Sequence, residues 1–239
     1  MQGNCSGRQF VLDLPRGRTW FELSVARKAT PVGEKARFIV LSRDITERKE
    51  SEARIARLAY YDSLTGLPNR GAFLERVDRA IRRAERQQSR LAVLFMDLDG
   101  FKNVNDSMGH AVGDLLLQWA AERLRDGLRP GDLVSRPMDP DGDGGGGDGI
   151  DGGGEVELAR LGGDEFTALI VDITGPEDAL AVARRIGSLM RRPFVFEGRE
   201  LMLTASIGVA VHPDDGRDAA TLLKHADTAM YLAKRSGRD

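Results

Sequence analysis

The stretch ELARLGGDEFTALIV, residues 157–171, decides the fold. Two strand-like runs, Glu157–Leu161 and Glu165–Val171, flank Gly162-Gly163. Glycine enters positive φ without a Cβ penalty, so this pattern predicts a tight β-hairpin with its turn at the glycines. Two acids, Asp164 and Glu165, follow the turn directly.

Upstream, Leu91–Met96 is six consecutive apolar residues, which predicts a strand buried on both faces. Asp97 ends that run and Asp99 lies two residues on. Between strand and hairpin, Val112, Leu115, Leu116, Trp119 and Ala120 recur at helical spacing. Before the strand, Asn69 opens a helix with Phe73, Leu74, Val77, Ile81 and Ala84 on one face. After the hairpin, Thr174 is expected to cap a helix with Pro176 near its first position and Glu177 and Asp178 in its first turn. A strand over Leu201–Val211 follows. A last helix carries Ala219, Leu222, Leu223, Ala226, Ala229, Met230 and Ala233. The core order is β-α-β-β-α-β with added helices. This is an α+β domain of the ferredoxin-like or polymerase-palm kind.

Such a sheet can set the first strand beside the hairpin, so that Asp97 faces Asp164 and Glu165. Carboxylates that close repel unless a cation lies between them. A small set of hard oxygen ligands suits Mg²⁺ (or Mn²⁺) completed by phosphates and water. The pattern points to metal-assisted phosphoryl or nucleotidyl transfer. One acidic cluster alone would read as a solvated turn. Two clusters with Gly162 and Gly163 attached favour the functional reading.

Bulk properties bound the classes. The chain has 239 residues, 30% charged, with net charge -2. It lacks the basic excess of a nucleic-acid binder. Cys5 is the single cysteine, which excludes an intrachain disulfide framework and fits a reducing compartment. No apolar run approaches ~18 residues, and Met1–Gly7 lacks a signal-peptide core. A cytoplasmic location is the expectation.

The chain divides into residues 1–46, 47–61 and 62–239. In the first, Phe10–Leu14, Thr19–Ala26 and Arg37–Ser42 read as strands. The near period-two alternation of 19–26 predicts one buried face. Three strands make a poor independent core, so this reads as part of a domain. Residues 47–61 read as a charged connector helix or a short coiled coil, the thin seam running through Ile45, Glu52, Ile55, Leu58 and Asp62. Residues 137–157 hold nine glycines and seven acids without Lys or Arg, a composition that predicts a disordered loop. Its partial matches to a dinucleotide fingerprint and to calcium loops lack the required flanking structure.

The block Leu161-Gly162-Gly163-Asp164-Glu165-Phe166 is similar to the signature of the GGDEF family of diguanylate cyclases. Other blocks agree in order. Asp62-Ser63-Leu64-Thr65-Gly66-Leu67-Pro68-Asn69-Arg70 resembles the family's entry motif, and Phe95–Lys102 with Asn105-Asp106 and Gly109–Asp114 its metal and base block. Thr204–Ala210 resembles a late strand, and Ala226-Asp227 through Arg238 the terminal helix. The resemblance implies an enzyme that condenses two GTP into cyclic di-GMP and works as a homodimer, each protomer bringing one GTP. It implies metal held by Asp97, Asp164 and the Leu98 carbonyl, with Glu165 assisting deprotonation of the ribose 3′-hydroxyl. Asn105 and Asp114 would read guanine; Lys102, Lys234 and Arg238 would neutralise phosphates; Gly162 and Gly163 would give the nucleotide room. His110 reads as structural.

Arg18–Ser24 and Arg43–Lys49 resemble the closing strands and exit motif of a PAS sensor domain, of which the first half is missing here. The family's inhibitory product site, R-x-x-D five residues before the signature, is matched by Arg129-Pro130-Gly131-Asp132, but 29 residues separate Asp132 from Gly162. Joining Arg136 to Leu161 restores the family spacing, so residues 137–160 read as an insertion. Glu157–Leu161 could rebuild the strand. Three alternatives stay open: a catalytically inactive GTP or cyclic di-GMP receptor, another nucleotidyl transferase on the same palm, and a dimerisation module.

Overall fold

A computed structural model describes residues 5–15, 17–28, 35, 37–128 and 156–236. Arg129, Asp132, Arg238 and the glycine-rich stretch up to Glu155 lie outside the described residues. The chain forms two compact units, Met1–Ala59 and Tyr60–Asp239.

The first unit is an antiparallel meander of β1 (Cys5–Leu14), β2 (Gly17–Lys28) and β3 (Arg37–Asp44), followed by α1 (Thr46–Tyr60). Phe10 sits opposite Phe21 and stacks on it at 5.8 Å. The exit turn is stitched to β2. Ile45 N–H donates to the Trp20 carbonyl, and Trp20 N–H donates to Thr46 Oγ1, both at 2.9 Å. The buried face expected for 19–26 does not form: Thr19 is the one buried residue of β2, and all of β3 is exposed. The alternation is present, but among the described residues of this unit the three strands have no second layer over them. Along α1, Ile55 and Leu58 are exposed.

The second unit opens with α2 (Arg70–Gln87), where Asn69 Oδ1 accepts the Ala72 N–H at 3.0 Å. Then come β4 (Arg90–Asp99), α3 (Phe101–Met108), α4 (His110–Gly127), β5 (Val156–Gly162) and β6 (Glu165–Ile173). The unit ends with α5 (Pro176–Met190), β7 (Phe194–Phe196), β8 (Arg199–Leu201), β9 (Thr204–His212) and α6 (Ala219–Ser236). The main sheet runs β5-β6-β4-β9, antiparallel throughout.

Helices cover both faces of this sheet, which is why β4 is apolar without alternation. Ala92, Leu94, Met96 and Leu98 join the core with Leu116, Ala120, Ile186 and Met190. Leu91, Val93 and Phe95 join the other with Phe73, Val77, Ile81, Leu222 and Met230. Each Leu, Ile, Val, Phe or Met side chain among these, fully buried, contributes about 1.5–3 kcal/mol.

Four local expectations need correction. The hairpin turn proper is Gly163-Asp164, since Gly162 pairs with Glu165; both glycines have positive φ, 145° and 53°. The cap of α5 is Gly175 rather than Thr174. Asp178 reaches back instead, accepting from the Thr174 N–H and hydroxyl at 2.7 Å each. The run Leu201–Val211 breaks at Met202-Leu203, freeing 199–201 to pair with β7. Leu115 is exposed, whereas Leu117 is buried.

Candidate active site

The end of β4 and the start of β6 meet at the hairpin. Register pairs Asp97 with Glu165 on one side and with Ser206 on the other. Leu98 N–H donates to the Asp164 carbonyl at 3.3 Å, so the first acidic cluster is tied to the turn that carries the second. Asp97, Leu98, Gly162, Gly163, Asp164 and Glu165 are thus brought together. Lys234, near the end of α6, donates to Asp97 Oδ1 at 2.5 Å.

Electrostatics mark this corner. Burial pushes the Asp97 carboxyl up. The Lys234 hydrogen bond opposes that, while Asp164 and Asp99 add to it, and the net direction is upward. Glu165 is also raised, by burial and then by Asp227, Asp164 and Asp97, with Arg70 opposing. Asp227 and Arg70 are therefore neighbours of the site to which the sequence reading gave no role. Both stood in the quoted blocks; three-dimensional proximity was the missing signal.

Asp99, by contrast, is sequestered. It is buried and accepts hydroxyls from Thr204 and Ser206, each at 2.8 Å, which makes it a bracket between β4 and β9.

Behind the turn sits a second charged group. Arg160 is buried. Its Nε and Nη2 donate to the Gly163 carbonyl at 3.1 and 2.7 Å, and its Nη1 donates to Asp62 Oδ1 at 2.7 Å. Asp62 also accepts the Thr65 N–H and hydroxyl. Burial would raise the Asp62 carboxyl, but the Thr65 and Arg160 hydrogen bonds outweigh it and hold it low. The sequence puts Arg160 in the strand Glu157–Leu161, at the end of the 137–160 insertion, and gives it no role. Here it lies in β5 and pins the signature turn.

The base-reading candidates lie on two successive helices. Asn105 sits on α3 and Asp114 on the first turns of α4, joined at Gly109 (φ 86°). Asn105 Oδ1 is buried and has no hydrogen-bond partner among the described residues. Lys102 is exposed on α3, and His110 is exposed as the first residue of α4.

Donor chemistry allows a metal here in one way. Among the described residues no group of three or more His, Cys, Asp or Glu is close enough to cage an ion. Paired carboxylates and backbone carbonyls, completed by ligand phosphates and water, are the manner in which Mg²⁺ is usually held.

Comparison with known proteins agrees with this arrangement. The family model described as "Diguanylate cyclase, GGDEF domain" matches residues 59–141 and 155–239, leaving a break at 142–154. The chain belongs to that family. It is 39% identical over 194 residues to the bifunctional diguanylate cyclase/cyclic di-GMP phosphodiesterase MucR of Pseudomonas aeruginosa, covering 81% of this chain and 25% of MucR. It is 39% identical over 191 residues to the diguanylate cyclase TpbB of the same organism, covering 80% of this chain and 38% of TpbB. It therefore spans well under half the length of these relatives. The solved GGDEF domain of Pseudomonas aeruginosa TpbB superposes with a TM-score of 0.62 at 38% identity, over 75% of this chain and 91% of that one. Among the described residues no helix is long and apolar enough to cross a membrane.

Proposed function

We propose that this chain condenses two molecules of GTP into cyclic di-GMP and releases pyrophosphate. The observation that carries the reading is the cross-strand pairing of Asp97 with Glu165, next to Asp164 on a glycine turn. The 3′-oxygen of one GTP bonds to the α-phosphorus of the other, the bond to pyrophosphate breaks, and the proton leaves the 3′-hydroxyl. Repetition with the roles exchanged closes the ring.

Asp97, Asp164 and the Leu98 carbonyl are the groups to hold Mg²⁺ or Mn²⁺, which when bound offsets phosphoryl charge. Glu165 accepts the 3′ proton, and its raised carboxyl suits that role. Lys234 reaches the same corner, so its charge is available to phosphate oxygens as well as to Asp97. Lys102 and Arg238 extend that charge. Gly162 and Gly163 give the triphosphate access to backbone. Asn105 and Asp114 bind the base. Asp114 suits guanine, which offers a ring N–H and an exocyclic amine to a carboxylate acceptor.

Each chain has one such site, so two chains face each other as a twofold homodimer. GTP as substrate places the reaction in the cytoplasm. The meander β1–β3 with its stitched exit turn is the closing part of a PAS-type sensor, and α1 conveys its state to the cyclase domain.

Product inhibition is weakened in this chain. Counted back from the signature at the family's spacing, the acid of R-x-x-D would stand where Val156 begins β5. A variant lacking 137–160 rejoins Arg129 and Asp132 to the signature and should be more strongly inhibited by cyclic di-GMP. Equal, strong inhibition in both proteins would overturn this.

The decisive experiment incubates the full chain with GTP and Mg²⁺ and resolves the products by chromatography and mass. Cyclic di-GMP, lost in Asp164→Ala, supports the enzyme. A folded protein that binds GTP yet yields no product at high concentration supports the receptor alternative.

A further inference from the structure

Gly113 lies buried in the first turns of α4, immediately before Asp114. Its φ falls outside the left-handed region, so the backbone there does not require glycine. In a helix interior glycine costs about 1 kcal/mol against alanine. What the position gains is room. A Cβ built on Gly113 would lie 1.9 Å from Asn105 Oδ1, 3.0 Å from Asn105 Cγ and 3.2 Å from Phe101 Cζ.

The atom occupying that room is the same Oδ1 that is buried with no hydrogen-bond partner among the described residues. The fold thus bears two costs at one point, a helical glycine and an unsatisfied buried carbonyl. Both fall on one amide, packed against the residue that precedes Asp114.

We propose that Gly113 is a positioning residue that sets base specificity, its missing side chain forming the slot that seats the Asn105 amide beside Asp114. This rests on the GTP reading above. With its Oδ1 held in the slot, the Asn105 amide has its NH2 to offer an acceptor such as guanine's carbonyl oxygen, while Asp114 accepts from the ring N–H and exocyclic amine; adenine presents an amine and a bare ring nitrogen instead. Alanine at 113 evicts the far end of a flexible side chain, and Phe101 has only tenths of an ångström to yield. The domain therefore still folds while the amide swings out of place.

The test uses the full chain as wild type, Gly113→Ala, Asn105→Ala and the double variant. GTP and ATP binding are measured by calorimetry, cyclic di-GMP formation by chromatography, and Tm alongside. Gly113→Ala should weaken GTP about tenfold, the size of one hydrogen bond, and erode the preference for GTP over ATP by a similar factor. It should add little to Asn105→Ala, because both act on the same amide.

Wild-type GTP affinity and selectivity in Gly113→Ala would overturn the proposal, and so would losses that multiply in the double variant. Should Gly113→Ala not fold, the double variant decides: a folded double variant places the clash on Asn105, and an unfolded one overturns the proposal. Wild-type protein that binds no GTP would instead defeat the parent reading, and is told apart because it is seen before any substitution.

Discussion

Two sets of carboxylates bracket the Gly162–Glu165 turn, and their acidities are pushed in opposite directions. Asp62, behind the turn, is held below its ordinary value by Thr65 and Arg160. Asp97 and Glu165, in front of it, are held above theirs by burial and by neighbouring acids, Asp164 and Asp99 for the first and Asp227, Asp164 and Asp97 for the second. The difference lies in the partners. Asp62 is met by a buried guanidinium and two local donors. Asp97 is met by the ammonium of Lys234, and Glu165 has three acids around it against Arg70. One set stabilises the fold in its ionised state. The other is strained until a cation or a proton relieves it. That division separates scaffold from site across a single hairpin.

The largest expected effect breaks the front set. Asp97→Asn and Glu165→Gln should each lower cyclic di-GMP formation by about a thousandfold, in the range seen when groups acting directly on a transition state are removed. Thermal unfolding of the same variants should occur at an unchanged or higher temperature, because a carboxylate costly to ionise has been removed. A variant that loses activity and Tm together would place these residues with the scaffold and erase the contrast.

The next effect breaks the back set. Arg160→Ala strands the partly buried Asp62 carboxylate and leaves the Gly163 carbonyl without its two donors. Stability measured by urea unfolding should fall by about 2 kcal/mol, below the full cost of splitting a fully buried pair because Asp62 keeps some access to water. Arg160→Lys should recover only part of this, since an ammonium cannot reproduce the fork that serves both acceptors. If Arg160→Ala unfolds like wild type, the rear group is ornament and the turn holds itself.

The sequence made much of the front legible and little of the rear. Asp97 ended an apolar run, and Asp164 and Glu165 followed a double glycine, so composition and spacing alone pointed to their meeting. Burial of β4 on both faces was equally readable, because six apolar residues in a row have no solvent-facing side. Arg160 was not readable. Its strand was, but its partners lie 98 residues upstream and three downstream. Asp227 and Arg70 were hidden in the same way, as ordinary charges on helices until the tertiary fold turned them toward Glu165. Local periodicity finds elements, and motif spacing finds groups close in sequence. Neither measures which distant charge answers another. The meander β1–β3 marks the opposite limit: its alternation predicted a buried face, but a pattern only says which face could be buried, not whether a second layer is there to cover it.

The smallest effect sharpens the comparison by pH. A carboxyl with a raised folded pKa binds more protons folded than unfolded, so it costs stability above that pKa, and the cost fades as pH falls from there to the unfolded value. Asp97 and Glu165 therefore predict a gain in stability on mild acidification, in the range above about pH 4 where unfolded carboxylates are still ionised. Asp62, with a lowered folded pKa, binds fewer protons folded than unfolded. Its contribution is complete above the ordinary value and is lost as pH falls below about 4 toward its folded pKa. Urea midpoints taken across this range should rise slightly and then fall. Asp97→Asn with Glu165→Gln should flatten the rise and leave the fall. Asp62→Asn should lower the plateau and blunt the fall. Saturating Mg²⁺ with a non-hydrolysable GTP analogue should flatten the rise without any substitution, because bound cations would then relieve the front carboxylates as protons do. A rise that persists in the double variant would show that groups elsewhere set the pH response, and the two faces of the hairpin would no longer be electrostatic opposites.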